Sequence, residues 1–323
     1  FFLIFLSLSL NASYFDYIFK DRSPTYNSFG QIGLIQTPTA QASKEGELSF
    51  TWNQNEIWKI GTLTVTPFDW MEASYFYYRP VDLYWTSENN RGDYLDKGFN
   101  VKFIYQPDLK FLPDIAIGLD DFAGTGYFTR EYIVATSSFE RMRISYGMGW
   151  GMFDGENTYG NPFNFISERF KFRPIESSNK GEGGQPSYDQ WFRGDIGLFG
   201  GLEYYVPKAN GLKIKLEYDP FNYLNFTAFN RKDADINLRK KESKINFGLS
   251  YPVNEFLTVD ANFFKGNTFN LSFNFSYNFG RDRADKPKFN PKVKTNNDKK
   301  EKIDFYRDLL NNLNKNNLYL QTA

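Results

Sequence analysis

The sequence predicts an all-β protein: an antiparallel transmembrane β-barrel of about twelve strands, followed by a short C-terminal linker and a helix. Three observations lead there. From Thr268 to Phe279, Phe269, Leu271, Phe273, Phe275, Tyr277 and Phe279 alternate without a break with Asn270, Ser272, Asn274, Ser276 and Asn278. A period of two gives a strand one apolar and one polar face, and the run exceeds the ~9–11 residues that cross a hydrocarbon layer at a tilt. Similar segments recur, with long connections after odd strands and short ones after even strands, as in a barrel whose two ends lie on one side of a membrane. Aromatics make up 20% of the chain while mean hydropathy is only -0.55, which suits an aromatic outside and a polar inside.

Taken in order, Phe1 to Leu10 is an unbroken run of apolar residues and Ser followed by Asn11-Ala12-Ser13. It reads as the apolar core of a secretory signal over 1–12, with a buried strand as the other reading; it is too short for a spanning helix. Residues 13–45 are expected to be a periplasmic lead-in carrying GLIQTPTA at 33–40. The barrel is expected over 46–280. Its first strand holds Leu48, Phe50 and Trp52 on one face, and strands at 57–66 and 70–79 are joined by a turn that Pro67 presets. Phe99, Val101, Phe103 and Tyr105 form one face of the fourth strand, and Ile115, Ile117 and Leu119 one face of the fifth. Further strands are expected at 127–137, 142–150, 194–206, 212–218, 245–251, 256–264 and 268–279. The long connections are 80–96, 151–193 and 220–242. Residues 281–300, rich in Lys, Asp, Asn and Pro, read as a solvated linker. Ile303, Tyr306, Leu309, Leu310 and Leu313 then fall at helical spacing, so 301–323 reads as the start of a further periplasmic module, with another strand opening at 318–323.

Composition narrows the function. Lys+Arg and Asp+Glu are both 38, so no net field points to nucleic acid. There is no His and no Cys, which excludes His-based triads, thiolate nucleophiles, disulfides and His or Cys metal sites. No cofactor and no metal is expected, and no enzyme activity.

GLIQTPTA at 33–40, PDIAIGLDDFAGTGYFTREYIVAT at 113–136, YGMGWG at 146–151, NPF at 161–163, FGGLEYYVP at 199–207 and GLKIKLEYD at 211–219 resemble the YjbH family over residues 30–280. The resemblance implies a bacterial outer-membrane protein encoded with exopolysaccharide or capsule export genes. The implied partners are outer-membrane lipid, the exopolysaccharide and periplasmic or lipoprotein components of the export operon. The expectation is a polar conduit for export or surface assembly without covalent chemistry. A scaffolding barrel that anchors periplasmic partners is the alternative, and a glycan-processing enzyme the third.

Several residues are open to two readings. Asp120 and Asp121 beside Gly124-Thr125-Gly126 are either a cation or phosphate cradle or a tight outer hairpin whose Gly adopts positive φ. Arg130 and Glu131, being adjacent on a strand, point to opposite faces unless a bulge intervenes. Glu203, Glu217 and Asp219 are either paired carboxylates of a glycosidase or lumen charges balanced by Lys213 and Lys215. Trp191, Phe192, Tyr204 and Tyr205 either stack on sugar rings or form an interfacial girdle. The connection 151–193, with Arg169, Lys171, Arg173 and the Gly-rich stretch 181–186, either constricts the lumen or stays outside as a lid. Its basic trio suits an acidic polysaccharide or a lipopolysaccharide surface.

Overall fold

The computed structural model describes residues 23–85, 92–107, 112–139, 141–155, 158–174, 184–230, 234–280 and 302–315. The expected signal segment, the linker 281–300 and the strand at 318–323 lie outside them. Twelve antiparallel strands close into one barrel, each paired with its sequence neighbours. They are β1 (Glu47–Gln54), β2 (Trp58–Phe68), β3 (Met71–Pro80), β4 (Asp96–Tyr105), β5 (Asp114–Asp120), β6 (Arg130–Ser138), β7 (Met142–Gly151), β8 (Gly197–Tyr205), β9 (Lys213–Tyr218), β10 (Ile245–Pro252), β11 (Leu257–Phe264) and β12 (Thr268–Asn278). β12 closes on β1 through eight register pairs, from Glu47 opposite Asn278 to Gln54 opposite Leu271. Closure leaves no free edge for another chain to pair with.

The pleat is inverted relative to a protein dissolved in water. Phe50, Leu63, Phe99, Ile117, Phe247 and Phe269 are all more than 40% exposed, whereas Thr51, Thr64, Asn100, Lys102, Asn246 and Asn270 are buried. Such an outside is stable only against hydrocarbon. The chain is therefore a bacterial outer-membrane barrel, the architecture that combines closure, an even strand number and an apolar exterior. Stacked aromatics mark the short-turn end: Phe68 on Trp70 at 5.1 Å, Trp70 on Phe103 at 6.3 Å, and Phe256 on Tyr277 at 6.1 Å. They form the interfacial girdle of that side. The long connections all lie at the opposite end, which is thus the outer one.

Two sequence expectations change here. Pro67 does not sit in the β2–β3 turn: β2 continues to Phe68, and its register with β3 shifts between Val65 and Phe68. A residue that cannot donate a ladder hydrogen bond is accommodated at such an irregularity. Residues 25–43 are not a lead-in outside the barrel. They are almost entirely buried and fold into its lumen.

Residues 283–323 form a separate unit. The expected helix is present there as Lys302–Lys315, with Leu309 and Leu313 half-buried and Tyr306 and Leu310 exposed.

Candidate functional site in the barrel lumen

The segment 25–43 contains no charged residue, yet charged side chains surround it. It rises from the inner end, turns near Phe29 and returns. Asn27 Oδ1 accepts from Phe29 N and Gln31 N at 3.0 and 3.1 Å, which sets the first turn. Gly30, at φ 77°, lies so close to the wall that a Cβ there would meet Thr62 Cβ at 2.4 Å. At Gly33 a Cβ would fall 2.3 Å from Thr37 O across the second turn. Only glycine fits either place.

The wall grips this peptide by its backbone. Glu217 on β9 accepts from three successive amides, Ile35 N at 2.9 Å, Gln36 N at 2.9 Å and Thr37 N at 2.9 Å, and from Thr37 Oγ1 at 2.8 Å. Lys215, two residues away on the same face, donates to Leu34 O at 2.9 Å and pairs with Asp260 at 2.8 Å. Lys102 on β4 donates to Ile32 O at 3.2 Å while pairing with Glu72, which accepts from Ile32 N at 3.2 Å. Gln31 donates to Asp120 at 2.5 Å, Thr25 to Glu203 at 2.6 Å, and Ala40 N to Thr136 Oγ1 at 2.9 Å. Thr62 and Thr64 on β2 donate to Phe29 O and Gly30 O at 2.8 and 2.7 Å. Carboxylates meet N–H groups and ammonium groups meet carbonyls, so buried wall charges and buried plug amides satisfy one another.

Above this tier, toward the outer end, the lumen is filled by rings. Trp58 lies 5.7 Å from Phe29 and from Phe264, 5.9 Å from Tyr223 and 5.4 Å from Phe226. Tyr223 and Phe226 come from the β9–β10 connection, within its 3₁₀ segment Tyr223–Asn230. Arg130 sits under this cluster, 4.0 Å from the Phe29 ring and 2.7 Å from Asp120. Below, at the inner end, a cleft of about 200 Å³ remains between the plug and β10–β12, lined by Thr25, Tyr26, Lys213, Ser250, Asn274 and Ser276. The lumen is thus sealed outward by aromatics and open inward on a polar cleft.

Of the residues singled out from the sequence, Asp120, Arg130, Glu203, Lys213, Lys215 and Glu217 face the lumen and serve the plug. Lys213 donates to Ser23 O, and Arg143 pairs with Glu203 at 3.1 Å. Glu131 behaves differently. It projects outward, opposite Trp150, yet is buried because the β7–β8 connection folds back over the outside of the rim. Arg173 clamps its carboxylate at 2.6 and 2.9 Å, Phe192 N donates at 3.0 Å, and Trp150 stacks on Phe163 at 5.4 Å. Among its described residues, Met152 and Phe153 turn into the aromatic tier, while Phe163, Arg173 and Phe192 buttress the rim, an arrangement that is neither a lumen constriction nor a free lid. Arg169 and Lys171 remain exposed, and Trp191 contacts Tyr188 at 4.8 Å.

The three carboxylates considered as a glycosidase pair are each engaged by the protein itself, Glu203 by Thr25 at 2.6 Å and Arg143 at 3.1 Å. The lone pairs of Glu217 are occupied by plug amides, while Asp219 accepts from Phe221 N at 2.7 Å and from the Tyr223 hydroxyl. Neither faces space for a sugar and a water.

Asp121 opens the β5–β6 connection, residues 121–129, which is longer than a tight hairpin. Asp121 and Gly126 have φ of 52° and 79°, and a Cβ on Gly124 would lie 1.6 Å from Asp121 Oδ1, so these glycines make room for the carboxyl. Asp121 accepts from Phe128 N at 3.1 Å through one oxygen only; the other, although buried, has no hydrogen-bond partner. Burial first, and then the neighbouring Asp96, push its carboxyl well above the usual carboxylate range. A group with a raised folded-state pKa withdraws stability as pH rises through that value. Asp121→Asn is accordingly expected to melt above the wild-type protein at pH 8 and to lose that advantage below pH ~4, where both carboxyls are protonated. Thermal melts of the two proteins across that range check it. Among the described residues no group of three or more acidic side chains is arranged for a metal.

Sequence reasoning missed Glu72, Lys102, Asp260, Asn246 and the plug itself. The signal for the wall residues was present, since each is a polar residue on the face opposite exposed apolar neighbours.

Comparison with known proteins follows the same lines. The KdgM porin is 10% identical with a TM-score of 0.36, over 72% of this chain and 99% of that one. The COG4313 outer membrane channel from Pseudomonas putida F1 is 8% identical, also with a TM-score of 0.36, over 75% of this chain and 100% of that one. At these scores neither adds weight to the strand pairing already described. The uncharacterized lipoprotein YjbH of Escherichia coli (strain K12) is 34% identical over 259 residues, covering 79% of this chain and 35% of the relative, so the chain spans about a third of that protein's length. The model of the YjbH family, described as "Exopolysaccharide biosynthesis protein YbjH", matches residues 25–322, and the chain belongs to this family.

Proposed function

We propose that this barrel serves exopolysaccharide export as a closed outer-membrane anchor that works from its periplasmic side, rather than as an open pore. The observation that carries the reading is the plug, held by wall groups from eight of the strands, β1 included through Glu47 on the Tyr26 hydroxyl at 3.0 Å, and capped by rings. The family description supplies the process, and the inward-facing polar cleft supplies a surface on which periplasmic partners or the glycan itself can engage. No covalent chemistry enters this reading: Glu217 is taken up by plug amides, Glu203 by Thr25 and Arg143, and Asp219 by Phe221 N and the Tyr223 hydroxyl.

A gated conduit is the second reading, and one feature favours it: a peptide without charged side chains can leave the lumen without carrying a charge through it. Locking the plug separates the two. The chain has no cysteine, so Ala40→Cys with Thr136→Cys, at positions already joined by the 2.9 Å hydrogen bond, introduces one defined disulfide. Exopolysaccharide secretion by cells carrying the oxidised pair is expected to match that of cells carrying either single variant, and the protein in planar bilayers is expected to be electrically silent. Secretion lost on oxidation and restored by reductant would establish the conduit instead.

A further inference from the structure

On the lipid-facing side, a groove of about 530 Å³ runs across β1–β3 below the outer rim. It exists because Gly61 stands in the middle of β2 where every outward neighbour is large. A Cβ there would meet the Trp52 ring at 3.6 Å and Phe50 Cε2 at 3.8 Å, ordinary contacts that leave the position unfilled. Trp52 and Tyr77 flank Gly61 in register, one on each side, and Leu95 closes the far wall. One row nearer the rim, Lys59 stands directly opposite Arg79, and both line the groove. On the next strand Lys97 lies opposite Tyr77, also on the exposed outer face.

Like charges directly opposite on antiparallel strands repel. Lys59 beside Arg79 is thus a local cost, and Asp93, paired with Arg79, offsets only one of the three cations. Cations on the lipid face of a barrel are tolerated near the interface and not at the midplane, which fixes their depth at the headgroup layer. Lys59 and Arg79 one row above the trough, with Lys97 level with its centre on the next strand, match a lipid with phosphate at its head and acyl chains below.

We propose that this groove is a binding site for a phosphorylated, multiply acylated lipid of the outer leaflet, with a phosphate on Lys59, Arg79 and Lys97 and an acyl chain over Gly61 between Trp52 and Tyr77. The site rests on the membrane orientation of the barrel and is independent of whether the lumen opens. It gives the barrel a fixed lipid neighbour at its β1–β4 side, where the exported polymer's surface environment begins.

The test is native mass spectrometry of the full chain folded in a neutral detergent and titrated with diphosphoryl lipid A, or with the same lipid stripped of phosphate. Wild-type protein is expected to retain the phosphorylated lipid at least about tenfold more tightly, the worth of one or two charge-assisted contacts. Lys59→Gln with Lys97→Gln, which leaves the Arg79–Asp93 pair in place, is expected to abolish that preference. Gly61→Phe, which fills the trough, is expected to weaken both lipids. Inorganic phosphate at the same concentration is expected not to compete. Equal retention of both lipids by the wild type, an unchanged preference in the double glutamine variant, or displacement by inorganic phosphate alone would each overturn the proposal. Heat-modifiable migration of every variant on a gel verifies the barrel.

Discussion

Glu217→Ala is expected to release the plug while leaving the barrel assembled. The carboxylate is fully buried and accepts from three consecutive amides, a threonine hydroxyl and Asn246 Nδ2 at 2.9 Å. Removing it strands those donors inside the lumen. Loss of one member of such a buried charged network costs about 3–5 kcal/mol. The strand ladders do not depend on Glu217, so the loss falls on plug insertion. With a reporter cysteine at Ala40, fully buried in the lumen, labelling by a water-soluble maleimide is expected to accelerate by about two to three and a half orders of magnitude, 1.4 kcal/mol being tenfold. Glu217→Gln, which keeps an acceptor oxygen, is expected to fall between. If labelling of Ala40→Cys is already fast in the otherwise wild-type protein, the plug is not resident in the lumen and the closed state is wrong.

How much of this was legible in the sequence follows from the range of each interaction. The strands were, with ends displaced by up to three residues as at 127 against Arg130 and 194 against Gly197, because a membrane outside and a polar inside impose a local period of two. The parity of loop lengths was legible too, since it depends on strand order alone. Residues 25–43 were not. They have no charge and no period, because their partners are backbone groups, and a chain bound through its backbone leaves little mark on its own side chains. The glycines at 30 and 33 were the available sign that it runs against something. Glu217 and Lys215 could be placed in the lumen by alternation, yet their partners lie 180 or so residues away in sequence. Glu131 shows a different failure: alternation set it and Arg130 on opposite faces without saying which one faced the lumen, and only the folded-back connection carrying Arg173 explains how a carboxylate survives on the outer face.

The aromatic tier yields the second large effect. Trp58 is wholly buried, packs against four rings within 6 Å and donates through Nε1 to Asn53 Oδ1 at 3.1 Å. Trp58→Ala is expected to cost about 3–5 kcal/mol, the usual loss for emptying a large aromatic site that cannot collapse. A closed strand ladder on every side prevents that collapse, so the outer seal loosens through its least constrained member, the β9–β10 connection bearing Tyr223 and Phe226. Protease cutting within 219–244 is therefore expected to rise sharply in Trp58→Ala. Trp52, six positions earlier and 40% exposed, supplies the control. Its ring faces lipid, so Trp52→Ala is expected to leave the urea midpoint within a few tenths of a molar of wild type and the connection uncut. These two tryptophans sit on opposite faces of paired strands, and the difference between them reads the inside–outside assignment of the whole barrel. Should Trp52→Ala prove the more damaging, the polar face would be the outer one, and the lumen, its plug and its seal would all have to be abandoned together.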